Sequence, residues 1–368
     1  MKKVYIRTFG CQMNVYDSEI MAGLLLDRDY KITEDMNRAD VILLNTCAIR
    51  QKAEDKVYSQ LGVLRRLKEK RPDLILGVGG CMAQREGEEI FKRSPSVDLI
   101  FGTHQICNLP TILNEVIREG RKVIAIEEGK VEQEGSNTYR KDKRKAYVAI
   151  MRGCDNHCTY CVVPSARGRQ RSRLPEKIIK EIENLAEEGY KEITLLGQNV
   201  AAYGKDLGGI DFPDLLERIN GIEGIEKIKY ISSHPKDISN KLIETLPELS
   251  KVCEDLHLPV QSGSNGILKA MNRGYTREEY LEIIEKVRSL IPKMSITTDI
   301  IVGFPGEREE DFQDTLELMK EIRFNSAYMF QYSSRPGTPA ERMPEQIPAE
   351  IKLERLHKVI SLQRAISK

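Results

Sequence analysis

Residues 147–161 read YVAIMRGCDNHCTYC: a short apolar run, then three cysteines at spacings of four and three. The run suits a buried parallel strand, which places the cysteines in the loop that follows it. Thiolates favour zinc or iron–sulfur centres. A structural zinc ion takes four ligands. His157 or a distant cysteine is open as the fourth, but His157 is adjacent to Cys158 and no second Cys-x-x-Cys pair follows. A cubic [4Fe–4S] cluster accounts better for three thiolates, because it leaves its fourth iron free for an exogenous ligand.

Beyond this loop, apolar runs recur at EITLLG (192–197), KYISS (229–233), LHLPV (256–260), SITTDIIVG (295–303) and AYMFQY (327–332). Helical patterns over 176–188, 212–220, 237–246, 276–290 and 308–322 separate them. Six βα units predict a partial TIM-like barrel, short of the full eight. A Pro-rich loop and a last helix over 349–366 follow. On the amino-terminal side, VYIRTFG (4–10), VILLNT (41–46), LILGVGG (74–80) and VDLIFGT (97–103) precede helical stretches over 17–28, 53–70, 83–93 and 109–120. The fold class is therefore α/β: an open parallel-sheet domain over 1–127, a polar linker over 128–146 and a partial (β/α)6 barrel over 147–368.

Cys11, Cys47 and Cys81 each follow a predicted strand, at spacings of 36 and 34. Strand carboxyl ends share one edge of a parallel sheet, where ligands bind. Three thiols on three such loops can converge on one metal centre, and FGCQMN, NTCAIR and GGCMAQ carry small or polar neighbours. Cys107 and Cys253 are read as packing residues. The chain has 368 residues, with 40% hydrophobic and 31% charged, which suits a globular protein of two domains. No apolar run reaches the roughly 20 residues of a membrane span, and MKKVYIRTFG enters a strand pattern directly; a cytoplasmic protein is expected. Eight cysteines in such a chain favour metal or catalysis over disulfides. Net charge is +1, but RKDKRK (140–145) and the set Arg167, Arg169, Arg171 and Arg173 are local basic clusters that lean toward RNA. Arg167 and Arg169 suit phosphate through guanidinium fork geometry.

The CxxxCxxC loop after the first barrel strand resembles the radical S-adenosylmethionine superfamily. The resemblance implies that the open iron is chelated by the amino and carboxylate groups of S-adenosylmethionine. The reduced cluster then cleaves the sulfonium to a 5′-deoxyadenosyl radical. Tyr160 matches the superfamily's aromatic position beside the adenine. Gly197, Gln198 and Asn199 end the second strand, where the superfamily contacts the methionine moiety. Gln261 and Ser262 end LHLPV toward the barrel mouth. Thr298 and Asp299 meet ribose or substrate if they point inward, and Gly303 and Gly306 match the adenine-supporting turn.

The amino-terminal cysteine trio narrows the resemblance to the methylthiotransferases. TFGCQMNVYDSE, NTCAIR, RGCDNHCTYCVVPSARGRQRSR, LLGQNV, HLPVQSGS and MNRGYTREEY are similar to the branch that modifies N6-dimethylallyl-adenosine at tRNA position 37. The resemblance implies two [4Fe–4S] clusters and two S-adenosylmethionine molecules, one a methyl donor and one a radical source. It implies delivery of a methylthio group to C2 of the adenine. No catalytic residue beyond the cluster ligands is assigned. The implied partners are the tRNA anticodon loop, an electron donor of flavodoxin or ferredoxin type and a sulfur source, with a monomer acting away from membranes. The alternatives are methylthiolation of threonylcarbamoyl-adenosine or of a ribosomal-protein aspartate, and, in a different class, a zinc-bound RNA-binding module. Family members normally end in a small β-rich RNA-binding domain. This sequence stops at a helix, as a fragment or a shortened enzyme would, and its hold on tRNA is then expected from the remaining surface, including Arg167 to Arg173.

Overall fold

A computed structural model describes residues 1–48, 51–129 and 138–367. The chain divides into two compact units: Met1–Lys143 with Tyr147–Ala149 and Val163–Arg169, and Arg144–Ala146 with Ile150–Val162 and Gln170–Lys368.

The first unit is built on strands β1 (Lys3–Thr8), β2 (Lys31–Ile32), β3 (Val41–Thr46), β4 (Ile75–Gly80), β5 (Leu99–Phe101) and β6 (Val123–Ala125). They form one parallel sheet in the order β2-β1-β3-β4-β5-β6. Every residue of β3 and β4 is buried, as continuous apolar runs require. The helices are α1 (Gln12–Leu26), α2 (Gln51–Lys70), α3 (Cys81–Glu86), α4 (Glu89–Arg93) and α5 (Leu109–Glu119). Val57, Leu61 and Leu64 of α2 share one core with Ile42, Leu44, Leu76, Val78 and Ile100 of the sheet. Burying each such side chain stabilises the unit by roughly 1.5–3 kcal/mol. From β1 the chain steps outward to β2 and then back across to β3. The β1/β3 boundary is thus a topological switch point, where open α/β sheets leave a crevice at their carboxyl ends.

Two departures from the sequence reading bear on the site. Helix α1 starts at Gln12 and not at 17, because Asn14 and Asp17 are fully buried polar residues that break its apolar period. The stretch expected as one helix over 83–93 breaks at Gly87, whose φ is +50°. Part of the expected linker is ordered. Tyr139 N donates to Glu19 O at 3.0 Å, and Arg140 is buried facing Glu19. Residues 130–137 lie outside the described residues. Lys141, Arg144 and Lys145 pair with Glu34, Glu226 and Glu192, so the first basic cluster is largely neutralised.

The second stretch of chain carries β7 (Lys145–Ala149), β8 (Met151–Arg152), α6 (Val163–Arg167), β9 (Arg171–Ser172), α7 (Pro175–Glu187), β10 (Glu192–Leu196), α8 (Phe212–Asn220) and β11 (Lys227–Tyr230). It continues through α9 (Asn240–Thr245), β12 (Asp255–His257), α10 (Asn265–Ala270), α11 (Arg277–Leu290), β13 (Ser295–Val302), α12 (Glu309–Ile322), β14 (Ser326–Gln331) and α13 (Ala349–Ile366). Strands lie in the orders β11-β10-β7 and β12-β13-β14, and a parallel bridge from Ile228 to Val252 leads from one set toward the other. These are the six strands of the expected partial barrel. The short hairpin β8–β9 and helix α10 are additions. Strand β13 alternates strictly: Ile296, Thr298, Ile300 and Val302 are buried, while Thr297, Asp299 and Ile301 lie on the more open face. No helix among the described residues is long and apolar enough to cross a membrane.

Candidate cluster-binding sites

Cys11, Cys47 and Cys81 follow β1, β3 and β4, which are adjacent in the sheet. The register sets Thr8 opposite Asn45 and Thr46 opposite Gly80, so the three ends finish side by side. Asn14 ties them together. Its amide donates to Thr46 O at 3.1 Å, and its carbonyl accepts from Cys11 Sγ at 3.3 Å. Asn45 Nδ2 donates to Asn14 O at 2.7 Å. Gly10 has φ +123°, and a Cβ there would stand 2.5 Å from Cys47 Cβ and 3.1 Å from its sulfur. Gly10→Ala therefore displaces the Cys47 loop and costs about 1–3 kcal/mol of stability, read from the denaturation midpoint of the purified protein. Cys47 and Cys81 are buried and Cys11 is half-buried. Burial pushes the Cys81 thiol up, against the pull of Arg167.

Arg167 comes from α6 and belongs to the same unit. It is 5% exposed, and its Nη2 donates to Asp17 at 2.8 Å. Its Nη1 is buried and makes no hydrogen bond. A buried cation with an orphaned N–H, close to the Cys81 thiol and in electrostatic range of Cys11, is a cradle for a centre that carries negative charge. These residues fit a cubic cluster held by three thiolates.

The second triad lies in the other unit. Gly153, at φ +73°, turns the chain out of β8, and its N–H donates to Gln198 Oε1 at 2.6 Å. The loop is strapped to the end of α10: Thr159 N donates to Met271 O at 3.0 Å, and Asn272 Nδ2 to His157 O at 2.8 Å. The His157 ring itself is exposed. Arg273 is buried against Cys158. Its Nη1 donates to Cys158 Sγ and Tyr160 Oη, each at 3.4 Å, while Nη2 donates to Pro259 O at 2.8 Å. His234 Nε2 stands 3.7 Å from the same sulfur. Burial, then the Arg273 charge, hold His234 down to about 3, so its ring is neutral. Its Nδ1 accepts from Lys236 N, which assigns the proton to Nε2, facing the sulfur. Burial pushes the Cys154 thiol up to about 11, so binding a metal there must displace protons.

Around this loop, Tyr160 and Ile301 pack against a core that includes Phe304 and Met271, with the Tyr160 ring edge-on to Phe304 at 6.4 Å. That is an apolar wall of the kind an adenine needs. At the strand ends, Ser232 and Gln261 adopt φ of +74° and +73°. Such left-handed geometry is costly for residues with a Cβ. Ser233 Oγ and Gln261 Oε1 are buried without a hydrogen-bond partner. Two orphaned buried polar atoms at strand ends, and an apolar wall at Tyr160 and Phe304, are the kinds of group that suit a ligand with both a purine and charged ends, such as S-adenosylmethionine. Among the described residues, no three His, Cys, Asp or Glu side chains form a site for a single metal ion. A cubic cluster places a different demand, one thiolate at each of three separate corners.

Sequence comparison bears on both sites. Residues 3–102 match the uncharacterized protein family UPF0004, and residues 148–319 match the Radical SAM superfamily. A tRNA-2-methylthio-N(6)-dimethylallyladenosine synthase of Pelotomaculum thermopropionicum is 53% identical over all of this chain and 83% of its own length. The enzyme of the same name from Natranaerobius thermophilus is 52% identical, over all of this chain and 82% of the relative. The chain belongs to this synthase family. Among solved structures, a radical S-adenosylmethionine methyltransferase, TsrM, from Kitasatospora setae, with cobalamin and a [4Fe–4S] cluster bound, matches 92% of this chain and 77% of its own. Its TM-score is 0.67 at 13% identity. The cobalamin-dependent radical enzyme OxsB, with S-adenosylmethionine bound, matches 99% of this chain and 56% of its own, with a TM-score of 0.64 at 15% identity. At such identities the likeness is one of fold.

Several site residues expected for this family sit differently from the sequence reading. Arg167 and Arg173 are not surface phosphate contacts: both are buried, and Arg173 pairs with Glu181 at 2.8 Å. Only Arg169 and Arg171 of that cluster are exposed. The Thr298 hydroxyl is committed to backbone, accepting from Val260 N at 2.9 Å and donating to Leu258 O at 2.8 Å, so it meets no ribose. Ser262 is fully buried and turned to Thr315 of α12, 3.3 Å away, and not to the barrel mouth. Gly197 packs on Met151, where a Cβ would stand 2.6 Å from its Cγ. Asn199 supports the loop indirectly, donating to Asp237 at 2.6 Å and accepting from His234 N at 3.0 Å. Burial opposes ionisation of Asp237, but hydrogen bonds from Lys205, Asn156 and Asn199 outweigh it and hold the carboxyl below its usual range. Gly303 and Gly306 form the expected turn, at φ +71° and +79°. Gly303 N donates to Glu307, itself buried against Arg355.

Asp299 lies on the open face of β13, 3.6 Å from His257 Nε2. His257 Nδ1 is 2.9 Å from Thr297 Oγ1, and its ring meets Tyr328 edge-on at 5.9 Å. The sequence reading missed His257, Tyr328, His234, Asp237 and Arg273. Arg273 alone had a visible signal, a cation inside MNRGYTREEY directly after a helix end and beside a glycine.

Proposed function

We propose that the chain is a tRNA methylthiotransferase that converts N6-dimethylallyl-adenosine at position 37 to its 2-methylthio form. The reading is carried by half-identity to synthases of that name along the full chain, together with two separate cysteine triads. Cys154, Cys158 and Cys161 hold the cluster that receives S-adenosylmethionine, and Cys11, Cys47 and Cys81 hold an auxiliary one. When bound, the clusters supply electrons and a sulfur site, and S-adenosylmethionine supplies the methyl group and the hydrogen-abstracting radical.

The protein's own residues do the rest. Gln198 fixes the exit of the cysteine loop through Gly153 N. Tyr160, Ile301 and Phe304 support an adenine, while Gln261 and Ser233 offer hydrogen bonds to the polar parts of the same ligand. Asp299, His257 and Tyr328 face the open side of the strands, where a substrate base is received. An unpaired loop base leaves its stack more cheaply than one in a duplex. Arg169 and Arg171 contact phosphates. An electron donor of flavodoxin or ferredoxin type, a sulfur source, a monomeric state and a cytoplasmic setting complete the proposal.

The test is mass spectrometry of tRNA nucleosides from a deletion strain with and without this chain. Restored 2-methylthio-N6-dimethylallyl-adenosine supports the reading. A restored threonylcarbamoyl derivative, or a modified ribosomal protein instead, overturns it. Arg169→Ala with Arg171→Ala weakens tRNA binding about tenfold, the effect of two exposed charge contacts of under 1 kcal/mol each. It also lowers the slope of log affinity against log salt by about 1.4–1.8. Fluorescence titration across a salt series measures both.

A further inference from the structure

Two members of the arginine cluster are buried, and Arg173 is accounted for by its ion pair with Glu181, which leaves Arg167. Arg167 lies only six residues after Cys161 in sequence, yet it sits in the amino-terminal unit, beside Cys81 of the other triad. Helix α6 packs on α3, which begins at Cys81, and Thr103 Oγ1 donates to Ala166 O at 2.6 Å. Those contacts already dock the helix, so docking does not require a buried charge. Asp17 of α1, fully buried, takes Nη2 at 2.8 Å and balances its charge. The guanidinium also lies against the Cys81 thiol and in electrostatic range of Cys11. Nη1 is sealed from water without a partner. An orphaned buried donor costs about 1–3 kcal/mol, more when charged, and native proteins keep such groups where a ligand satisfies them.

We propose that Arg167 is a positioning residue for the auxiliary cluster, with Asp17 clamping one end of its fork so that the other presents a cation to the cluster's sulfur-rich, negatively charged side. The inference rests on the reading of Cys11, Cys47 and Cys81 as cluster ligands. Hydrogen bonds and charge near cluster sulfurs set reduction potential. With a cluster bound, Arg167 would favour its more negative, reduced state. Asp17 sets how much of that charge the cluster feels.

The test uses the full chain with Cys154, Cys158 and Cys161 changed to alanine, so that only the auxiliary cluster is loaded. The parent should hold about four irons and four sulfides; a parent that binds no iron removes the underlying cluster assignment and is recognised before any Arg167 comparison. Potentials are then measured by titration followed by electron paramagnetic resonance, with circular dichroism melts as the fold control. Asp17→Asn with Arg167→Gln removes both charges and leaves no orphaned ion. The reduced-to-oxidised ratio at fixed potential should fall at least tenfold, a shift of 59 mV to more negative values for one electron. Asp17→Asn alone exposes the cluster to an unbalanced cation and should move the potential the opposite way. Arg167→Lys should retain a potential closer to the parent than the double variant does. Opposite signs in Asp17→Asn and the double variant carry the proposal. Unchanged potentials in Asp17→Asn and in the iron-loaded double variant overturn it and leave Arg167 a packing residue.

Discussion

Changing Cys11, Cys47 or Cys81 to alanine removes about four of about eight irons per chain and abolishes the methylthio product, while 5′-deoxyadenosine still forms. The asymmetry follows from the anchoring. Among the described residues, each triad supplies the thiols at its own strand ends, and a cluster held by three protein ligands is weakened by the loss of one. The radical site keeps Cys154, Cys158, Cys161 and the Arg273 contact, none of which shares an element with β1, β3 or β4. Uncoupled radical formation is therefore the signature of the amino-terminal lesion. Alanine at Cys154, Cys158 or Cys161 has the reverse pattern: half the iron stays, and both 5′-deoxyadenosine and the methylthio nucleoside disappear. Iron and acid-labile sulfide after anaerobic reconstitution, with both products quantified by mass spectrometry, check the two patterns. Retention of full iron and product in Cys47→Ala would sink the assignment of two independent clusters.

The strand-end positions of Cys11, Cys47 and Cys81 were legible because a thiol that closely follows an apolar run is a strand-end thiol, and strand ends of a parallel sheet share an edge. The switch point beside them was not legible, since β2 spans only Lys31–Ile32 and reverses the sheet order without an apolar signature. Asn14 and Asp17 erased the start of α1 from the hydrophobic pattern by being polar and buried, which is itself the mark of their task around the triad. The same blindness to three-dimensional context made Arg167 and Arg173 read as surface charges. A basic run looks identical whether its members face water or an aspartate such as Asp17. Thr298 illustrates a subtler failure: period 2 places it correctly on one face of β13, but nothing local says that face is packed and satisfied by Leu258 and Val260. His257, Asp299 and Tyr328 meet across three strands, a juxtaposition that depends on register and not on spacing.

Arg273→Met is expected to lower the rate of 5′-deoxyadenosine formation by at least a hundredfold, and Arg273→Lys to recover little of it. The guanidinium is 5% exposed and divides its donors among Cys158 Sγ, Tyr160 Oη, Pro259 O and Tyr275 Oη, the last at 3.1 Å from Nε. One planar fork thus spaces a cluster ligand, the adenine-side tyrosine and the end of the β12 segment. Lysine carries the charge but only a single ammonium, which cannot reach the same set in fixed directions. Removing one side of such a buried arrangement costs about 3–5 kcal/mol, because the remaining groups lose their partner without regaining water. If only part of that, about 2.7 kcal/mol, falls on the geometry needed for sulfonium cleavage, the rate drops by two decades. Burial pushes the Tyr275 hydroxyl up, and the Arg273 cation pulls against it; with methionine in place that tyrosine stays neutral and keeps its 2.7 Å hydrogen bond to Val260 O, so the barrel itself survives. The variant should therefore bind near-normal iron at Cys154, Cys158 and Cys161, with a potential more negative than the parent's, because a donor to a cluster sulfur is gone. Iron content, potential and single-turnover cleavage separate these effects. Loss of iron with no change in potential per loaded cluster would assign Arg273 to folding alone, whereas full loading with a shifted potential and slow cleavage places it in control of the electron that starts the reaction.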